Sequence, residues 1–175
     1  MGLLAVLNLK QIAIALGVTH TAPYRHFKDK QALLDEVAKV GFAQLTEHMQ
    51  RAYEHKPAGT REQFLATGYA VIEFALQQPG YYRAMFFGHR GGTLRELANP
   101  PPASAFDVFL GYIAAWQQSR VLRPGAALPL ALAIWSTTHG LACLCMSGQI
   151  RMRTRADLRK LADAAHTSLL DGVGR

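Results

Sequence analysis

The chain has little cysteine. Its cysteines and histidines are not spaced to form disulfides or to bind a structural metal. Cys143 and Cys145 are its only cysteines, and two positions apart on a helix they point to different faces, which excludes a disulfide framework. No CxxC pair is present and the seven histidines are scattered, so zinc-ligand spacing is missing as well. We therefore expect a cytoplasmic protein that needs no metal and no other cofactor.

Acidic residues are also scarce. The chain has 12 Asp and Glu against 19 Lys and Arg, and its net charge of +7 favours a polyanionic partner. One basic cluster lies near the carboxyl end: Arg151, Arg153, Arg155, Arg159 and Lys160. We interpret that cluster as a solvated helix face, with a second nucleic-acid site as the alternative. Because the amino end has neither a positive stretch nor a small-residue cleavage site, no secretory signal is expected.

Residues 9–33 have the pattern of two short helices joined by a tight turn, a helix-turn-helix signature. The apolar residues of the first helix recur at the spacing of one buried face: Leu9, Ile12, Ala13 and Leu16. Gly17 predicts the end of this helix, because glycine adopts a left-handed backbone without a Cβ penalty. A second helix, capped by Thr19 or Thr21, is expected to run to about Phe27, with Pro23 early enough to be tolerated.

The second helix carries polar and basic side chains suited to DNA. With Pro23 and Phe27 facing inward, its other side presents groups able to reach base edges and phosphates. Lys30 begins a further helix, where backbone N–H groups and an ammonium together suit a phosphate oxygen. The candidate DNA-binding residues are Thr19, His20, Thr21, Tyr24, Arg25, His26, Lys28 and Lys30. The alternative is a basic, solvated helix pair.

The ordered series Gly17-Val18-Thr19, Tyr24, His26-Phe27, Lys30 and Leu33 resembles the TetR family of bacterial transcriptional regulators, whose pattern reads close to GVSxGTLYxYFxxKExL. The chain departs from that pattern at six positions: Thr19, Thr21, Ala22, Pro23, His26 and Gln31. The resemblance implies an additional helix before the segment that matches Gly2 to Gln11. We expect the chain to lack that first helix.

Helical periodicity dominates the remaining sequence, and we expect an all-α fold. Residues 1–49 are predicted to form an incomplete three-helix-type DNA-binding domain with a connecting helix. Residues 50–175 are predicted to form a helical ligand-binding and dimerisation domain, in which Pro79 begins a short aromatic helix and Ser104 caps a later one.

Residues 126–146 carry no charge and are long enough to cross a bilayer. Polar residues near the middle and the absence of a second hydrophobic span favour instead a helix that is buried on nearly all of its sides within a soluble oligomer. No membrane partner is therefore expected. Together with the last helix it is expected to form a four-helix homodimer interface. The predicted interface residues are Ala131, Ile134, Thr138, Leu141, Cys145, Leu158, Leu161, Ala162, Ala165 and Leu169.

Trp135, His139 and Gly140 resemble the TetR subgroup whose regulatory domain is named for Trp-His-Gly, as does the aromatic segment from Pro79 to Gly88. The resemblance favours a pocket for an apolar small molecule, although core packing would need the same residue types. The candidate pocket residues are Tyr81, Tyr82, Phe86, Phe109, Trp116, Trp135 and His139. We interpret His139 as a core or interface residue, because no nucleophile and orienting acid can be identified beside it for a helical enzyme.

The sequence therefore predicts a ligand-responsive repressor that binds a palindromic operator as a homodimer. The alternative is a ligand-binding helical dimer that has lost DNA binding with the first helix.

Overall fold

The computed structural model describes residues 13–19, 21–88 and 93–173, and every regular element among them is helical, which confirms the all-α fold class. A 3-10 turn, Ala22–Arg25, is followed by α1 Lys30–Glu54, α2 Arg61–Gln77, α3 Pro79–Arg83, α4 Leu94–Ala98, α5 Ala105–Gln118, α6 Ala127–Met146 and α7 Arg155–Val173. A π-helical turn, Ala84–Gly88, continues α3, so the predicted short aromatic helix beginning at Pro79 is confirmed.

The chain divides into two compact units. The described residues within 1–42 and 80–91 form the amino-terminal unit, and those within 43–79 and 92–173 form the carboxy-terminal unit. Helix α1 begins in the first unit and ends in the second. The domain boundary expected after residue 49 stays a prediction.

Helix α1 packs closely against the aromatic turn inside the amino-terminal unit. A Cβ atom on Gly41 would lie 2.6 Å from Met85 Sδ, so a larger residue here would require the Met85 side chain to shift. The Phe42 and Phe86 rings meet edge to face with centroids 5.6 Å apart. The helix begins where Asp29 Oδ1 accepts a hydrogen bond of 2.8 Å from the Ala32 amide, a group that would otherwise lack a partner.

The carboxy-terminal unit is a helical bundle in which α2 packs against α6 and α7, and α6 packs against α5 and α7. Trp116 is 1% exposed, and its ring lies 5.0 Å from that of Phe64 in an edge-to-face arrangement. Tyr53 stacks on Tyr112 at 4.1 Å. Burying a large apolar side chain stabilises the fold by about 1.5–3 kcal/mol, so these rings anchor the bundle. Ser104 caps α5 as predicted, since its side chain accepts from the Asp107 amide.

Within one chain, helix α6 is covered on one face only, and its burial on nearly all sides in an oligomer stays a prediction. Its buried residues form one stripe: Leu130, Ala131, Ile134, Thr138, Leu141 and Ala142. Only a third of its most apolar window is buried, because within one chain α2, α5 and α7 cover a single side. Among the described residues, α6 is the one helix long and apolar enough to cross a bilayer, a test that core helices of soluble proteins also pass.

Candidate functional site

The tight turn predicted between the two short helices of residues 9–33, the helix-turn-helix segment, is present. Residues 13–15 are helical, and Gly17 has φ 69°, the left-handed conformation expected of a glycine that ends a helix. The Val18 amide donates to Ala13 O at 3.0 Å and the Gly17 amide donates to Ile14 O at 3.1 Å. These two bonds define a Schellman motif, and the prediction that Gly17 ends the helix is confirmed.

The predicted buried face of this first helix is only partly observed. Ala13 is fully buried, but Leu16 is 71% exposed, which contradicts its expected burial. Leu16 lies at the C-cap, where the chain leaves the helix and the 3.6-residue period no longer fixes the side-chain direction. Leu9 and Ile12 lie outside the described residues.

The second element is shorter than predicted. It is one 3-10 turn, Ala22–Arg25, in place of a helix running to about Phe27. Amides bond to carbonyls three residues back, as in the Tyr24 amide to Thr21 O at 3.1 Å. Pro23 contributes no N–H donor at the start of this turn. Of the two predicted caps, Thr19 and Thr21, Thr21 stands at the start of the turn and makes no side-chain capping bond.

The exposed side of this turn matches the predicted one. The candidate residues exposed there are Thr19, Thr21, Tyr24, Arg25, His26 and Lys28. Pro23 and Phe27 are partly buried, as expected for the inward side, and Lys30 is partly buried at the start of α1. His20 lies outside the described residues. The nearby acid, Asp29, is held by the Ala32 amide, so the turn presents basic and hydrogen-bonding groups.

The candidate pocket residues fall into both units. Tyr81, Tyr82 and Phe86 belong to the amino-terminal unit, where Tyr82 is fully buried and its ring lies 4.6 Å from that of Phe86. Phe109, Trp116, Trp135 and His139 belong to the carboxy-terminal unit. Within the first set, Tyr82 is therefore packed in the manner of a core residue.

Trp116 is also packed as a core residue. Besides its aromatic neighbours, its indole Nε1 donates to Gln63 Oε1 at 3.2 Å in a buried setting. Trp135 lies in a separate cluster, with its ring 5.1 Å from Phe106, which in turn lies 6.1 Å from Phe109. The sequence left open whether these residues line a ligand pocket or pack in the core. The structure favours core packing for Trp116, while Phe109 and Trp135 are only partly buried.

His139 lies beside a thiol on α6. Its Nε2 is 3.4 Å from Cys143 Sγ, and both residues are partly buried. Burial lowers the pKa of His139 and raises the pKa of Cys143, so the neutral imidazole and the neutral thiol are both favoured. A reactive cysteine needs the opposite shift of its pKa. Among the described residues, no group of three His, Cys, Asp or Glu side chains is placed to hold a metal ion.

Six of the ten predicted interface residues are inside the core of their own chain. They are Ala131, Ile134, Thr138, Leu141, Leu158 and Ala162, each at most 8% exposed. A side chain covered by its own subunit has no surface left for a partner, so these six are corrected to core residues. Cys145, Leu161, Ala165 and Leu169 are partly exposed and keep surface available.

Three buried polar residues escaped the sequence analysis, and one of them is Thr67, whose hydroxyl donates to Gln63 O at 2.9 Å. Gln63, 1% exposed, donates from Nε2 to Tyr53 O at 2.9 Å and accepts at Oε1 from the Gly59 amide at 3.0 Å. His166 on α7 is fully buried and contacts Thr138 on α6. Helical spacing places His166 on the same face as the buried Ala162, four residues earlier, but spacing alone does not predict that a histidine is buried.

Comparison with known proteins gives a family model and similar folds. The model described as tetracyclin repressor-like, C-terminal domain matches residues 64–169, more than half of the chain. A protein of unknown function from Rhodococcus sp. RHA1 superimposes with a TM-score of 0.70 at 28% identity, covering 97% of this chain and 86% of that one. A search of curated proteins gave no match.

Two further solved structures are similar to this chain. A regulatory protein in the tetR family from Rhodococcus RHA1 gives a TM-score of 0.67 at 19% identity, covering 97% of this chain and 87% of that one. The TetR family transcriptional regulator PfmR from Thermus thermophilus gives a TM-score of 0.58 at 16% identity, covering 96% of this chain and 90% of that one. At these identities the likeness concerns the fold alone.

Proposed function

The chain belongs to the TetR family of regulators, and from that premise we propose that it is a transcriptional repressor that binds a palindromic operator as a homodimer and responds to an apolar small molecule. The observation that carries the proposal is the exposed side of the 3-10 turn. There Tyr24, Arg25, His26 and Lys28 face solvent directly after the Gly17 turn. A polar, basic surface at this point of a helix-turn-helix segment suits the DNA major groove.

The proposed contacts divide by chemistry. Thr19, His20, Thr21, Tyr24, Arg25 and His26 are proposed to contact base edges or phosphates, because their side chains offer donors and acceptors or planar cations. Lys28 and Lys30 are proposed to contact phosphates, where an ammonium acts as a point charge. Base contacts would select the operator, while phosphate contacts would set the affinity and its dependence on salt.

We propose that the homodimer forms through the surfaces of α6 and α7 that their own chain leaves open. Leu144, 44% exposed, and the partly exposed Cys145, Leu161, Ala165 and Leu169 lie on these two helices. Two copies would bury these apolar side chains in a four-helix arrangement. A two-fold axis would also place two recognition elements in successive major grooves, about 34–36 Å apart.

The proposed effector would act by changing that separation. A ligand shifts an equilibrium only through its different affinity for two arrangements. An apolar molecule that binds more tightly when the two recognition elements are not spaced for successive major grooves would therefore release the operator. Phe109, Trp135 and His139, all within the carboxy-terminal unit, remain candidates for its contacts, and the roles predicted for Tyr81 and Phe86 in the amino-terminal unit stay predictions. The Trp-His-Gly subgroup and the cytoplasmic location belong to the same proposal, and a binding role, not a catalytic one, is proposed for His139.

The first test is DNA binding measured at several salt concentrations, on DNA that flanks the gene of this protein. Lys30→Ala should weaken binding to every sequence and lower the salt slope by about one unit, because one phosphate contact is lost. Lys39→Ala is the matched control. Lys39 lies on the same helix α1, and its side chain is 77% exposed beside Glu36. The control should leave the slope unchanged.

Arg25→Ala separates base contact from phosphate contact. If Arg25 reads a base, its loss should relax the preference at one operator position by about 1–3 kcal/mol. Equal slopes for wild type, Lys30→Ala and Lys39→Ala would contradict the phosphate role. Failure of the wild type to prefer any sequence would favour the ligand-binding dimer without a DNA role.

A further inference from the structure

The junction of α2, α6 and α7 contains a fully buried histidine in a chain of hydrogen bonds. His166 Nδ1 lies 2.8 Å from Ala162 O, and its Nε2 lies 2.8 Å from Thr138 Oγ1. The Thr138 hydroxyl is also 2.8 Å from Ile134 O. A Cβ atom on Gly68 would lie 2.6 Å from the His166 ring, so α2 closes the junction tightly.

These three contacts accept either charge state of the ring. A carbonyl oxygen only accepts, so Nδ1 must carry a proton and donate to Ala162 O. In the neutral ring Nε2 then accepts from the Thr138 hydroxyl. In the charged ring Nε2 donates to that hydroxyl, which turns to donate to Ile134 O. One rotation of a hydroxyl therefore keeps both ring nitrogens bonded in both states.

The surroundings set the free-energy difference between the two states. Helix α2 contributes Phe64, whose ring meets that of His166 edge to face, and Gly68, neither of which titrates. From α7 come Asp163 and Arg159, which pair with each other at 2.9 Å. Burial is the main influence and lowers the pKa of His166 below its usual 6.5, although the bond to Ala162 and the charge of Asp163 act in the opposite direction.

We propose that His166 and Thr138 form an acid-responsive lock, in which the neutral ring holds α7 against α2 and α6 and uptake of one proton weakens that packing. The unfolded chain binds this proton more readily than the folded chain. Stability is therefore fully present above pH 6.5 and falls as the pH drops through 6.5 toward the pKa of the folded state. Within that window the folding equilibrium constant should fall by up to about tenfold per pH unit.

The proposed lock is tested by measuring the protonation of the histidine rings by NMR in the full chain. The wild type should show His166 protonated at Nδ1 at pH 8 and titrating below pH 6.5. Thr138→Ser retains the hydroxyl and should keep the midpoint. Thr138→Val removes it, and because hydrogen bonds to a charged ring are the stronger ones, the midpoint should fall further, by about one pH unit. An unchanged midpoint in Thr138→Val, or a wild-type ring protonated at Nε2 alone at pH 8, would overturn the proposal.

Urea unfolding between pH 8 and pH 5 tests the effect on stability. His166→Gln should lose the dependence attributed to this proton, even if the variant is less stable at every pH. His55→Gln is the matched control, because His55 makes the same Nδ1 contact with the carbonyl four residues back, Arg51 O at 2.9 Å, but is exposed. The control should keep the wild-type dependence. Should His166→Gln or Thr138→Val fail to fold, the wild-type tautomer and midpoint decide alone, and a midpoint at or above 6.5 rejects the lock.

Discussion

The described helix-turn-helix segment and the carboxy-terminal unit place their large side chains in opposite ways. Ile14, Leu16 and Tyr24 are 65%, 71% and 56% exposed, whereas Phe64 and Trp116 are each 1% exposed. Every buried side-chain nitrogen or oxygen of the described residues has a hydrogen-bond partner. We infer from the difference that the second region supplies most of the stability, while the first leaves large side chains open to solvent, where the proposed DNA contacts would form.

The comparison predicts that substitutions of aromatic residues in the two regions have separate effects. Trp116→Ala should lower the free energy of unfolding by about 3–5 kcal/mol, because it leaves a cavity beside Phe64 and removes a donor from Gln63. Tyr24→Ala should change stability by less than about 0.5 kcal/mol, since Tyr24 is exposed. Urea unfolding measures both.

The two substitutions should rank in the reverse order in DNA binding. Tyr24→Ala should weaken the operator complex more than Trp116→Ala does. A stability loss for Trp116→Ala as small as that for Tyr24→Ala would contradict the core assignment. Such a result would return Trp116 to the candidate pocket residues.

Two helical glycines sharpen the comparison inside the carboxy-terminal unit. A Cβ atom on Gly68 would lie 2.6 Å from His166, so Gly68→Ala should destabilise by about 1–3 kcal/mol through overpacking. Gly111 is exposed on α5 with no atom within 4 Å of an added Cβ, so Gly111→Ala should stabilise by about 0.5–1 kcal/mol. The Tm should fall for Gly68→Ala and rise for Gly111→Ala. A rise in Tm for both variants would show that α7 moves aside at little cost.

Local signals explain what the sequence could predict. A left-handed backbone favours glycine whatever surrounds it, so Gly17 could be recognised as the end of a helix. Exposure of Tyr24, Arg25 and Lys28 opposite Pro23 followed from the same short stretch. Such features depend on residues only a few positions apart, which the sequence displays directly.

Features that depend on distant neighbours could not be predicted in the same way. Periodicity identifies residues that share a face, such as Ile134 and Thr138, but it does not tell whether their own chain or a second copy covers that face. The apolar stripe of α7 omitted His166 because a histidine gains a buried place only through specific partners, here Thr138 from another helix. The length of the turn after Pro23 was likewise not fixed by residue type.

The smallest predicted effects concern backbone conformation in each region. Gly17 has φ 69° with open space around it, so Gly17→Ala should lower stability by about 1 kcal/mol through the left-handed backbone alone. Arg120, after α5, has φ 62°, so Arg120→Gly should relieve a similar strain and gain somewhat less than about 1 kcal/mol, because glycine also gains freedom in the unfolded chain. Hydrogen exchange should place the first effect at the Val18 amide, which bonds across the turn, whereas urea unfolding should detect the second in the cooperative transition. If Gly17→Ala lowered the main unfolding transition as much as Trp116→Ala, the assignment of most stability to the carboxy-terminal unit would be wrong.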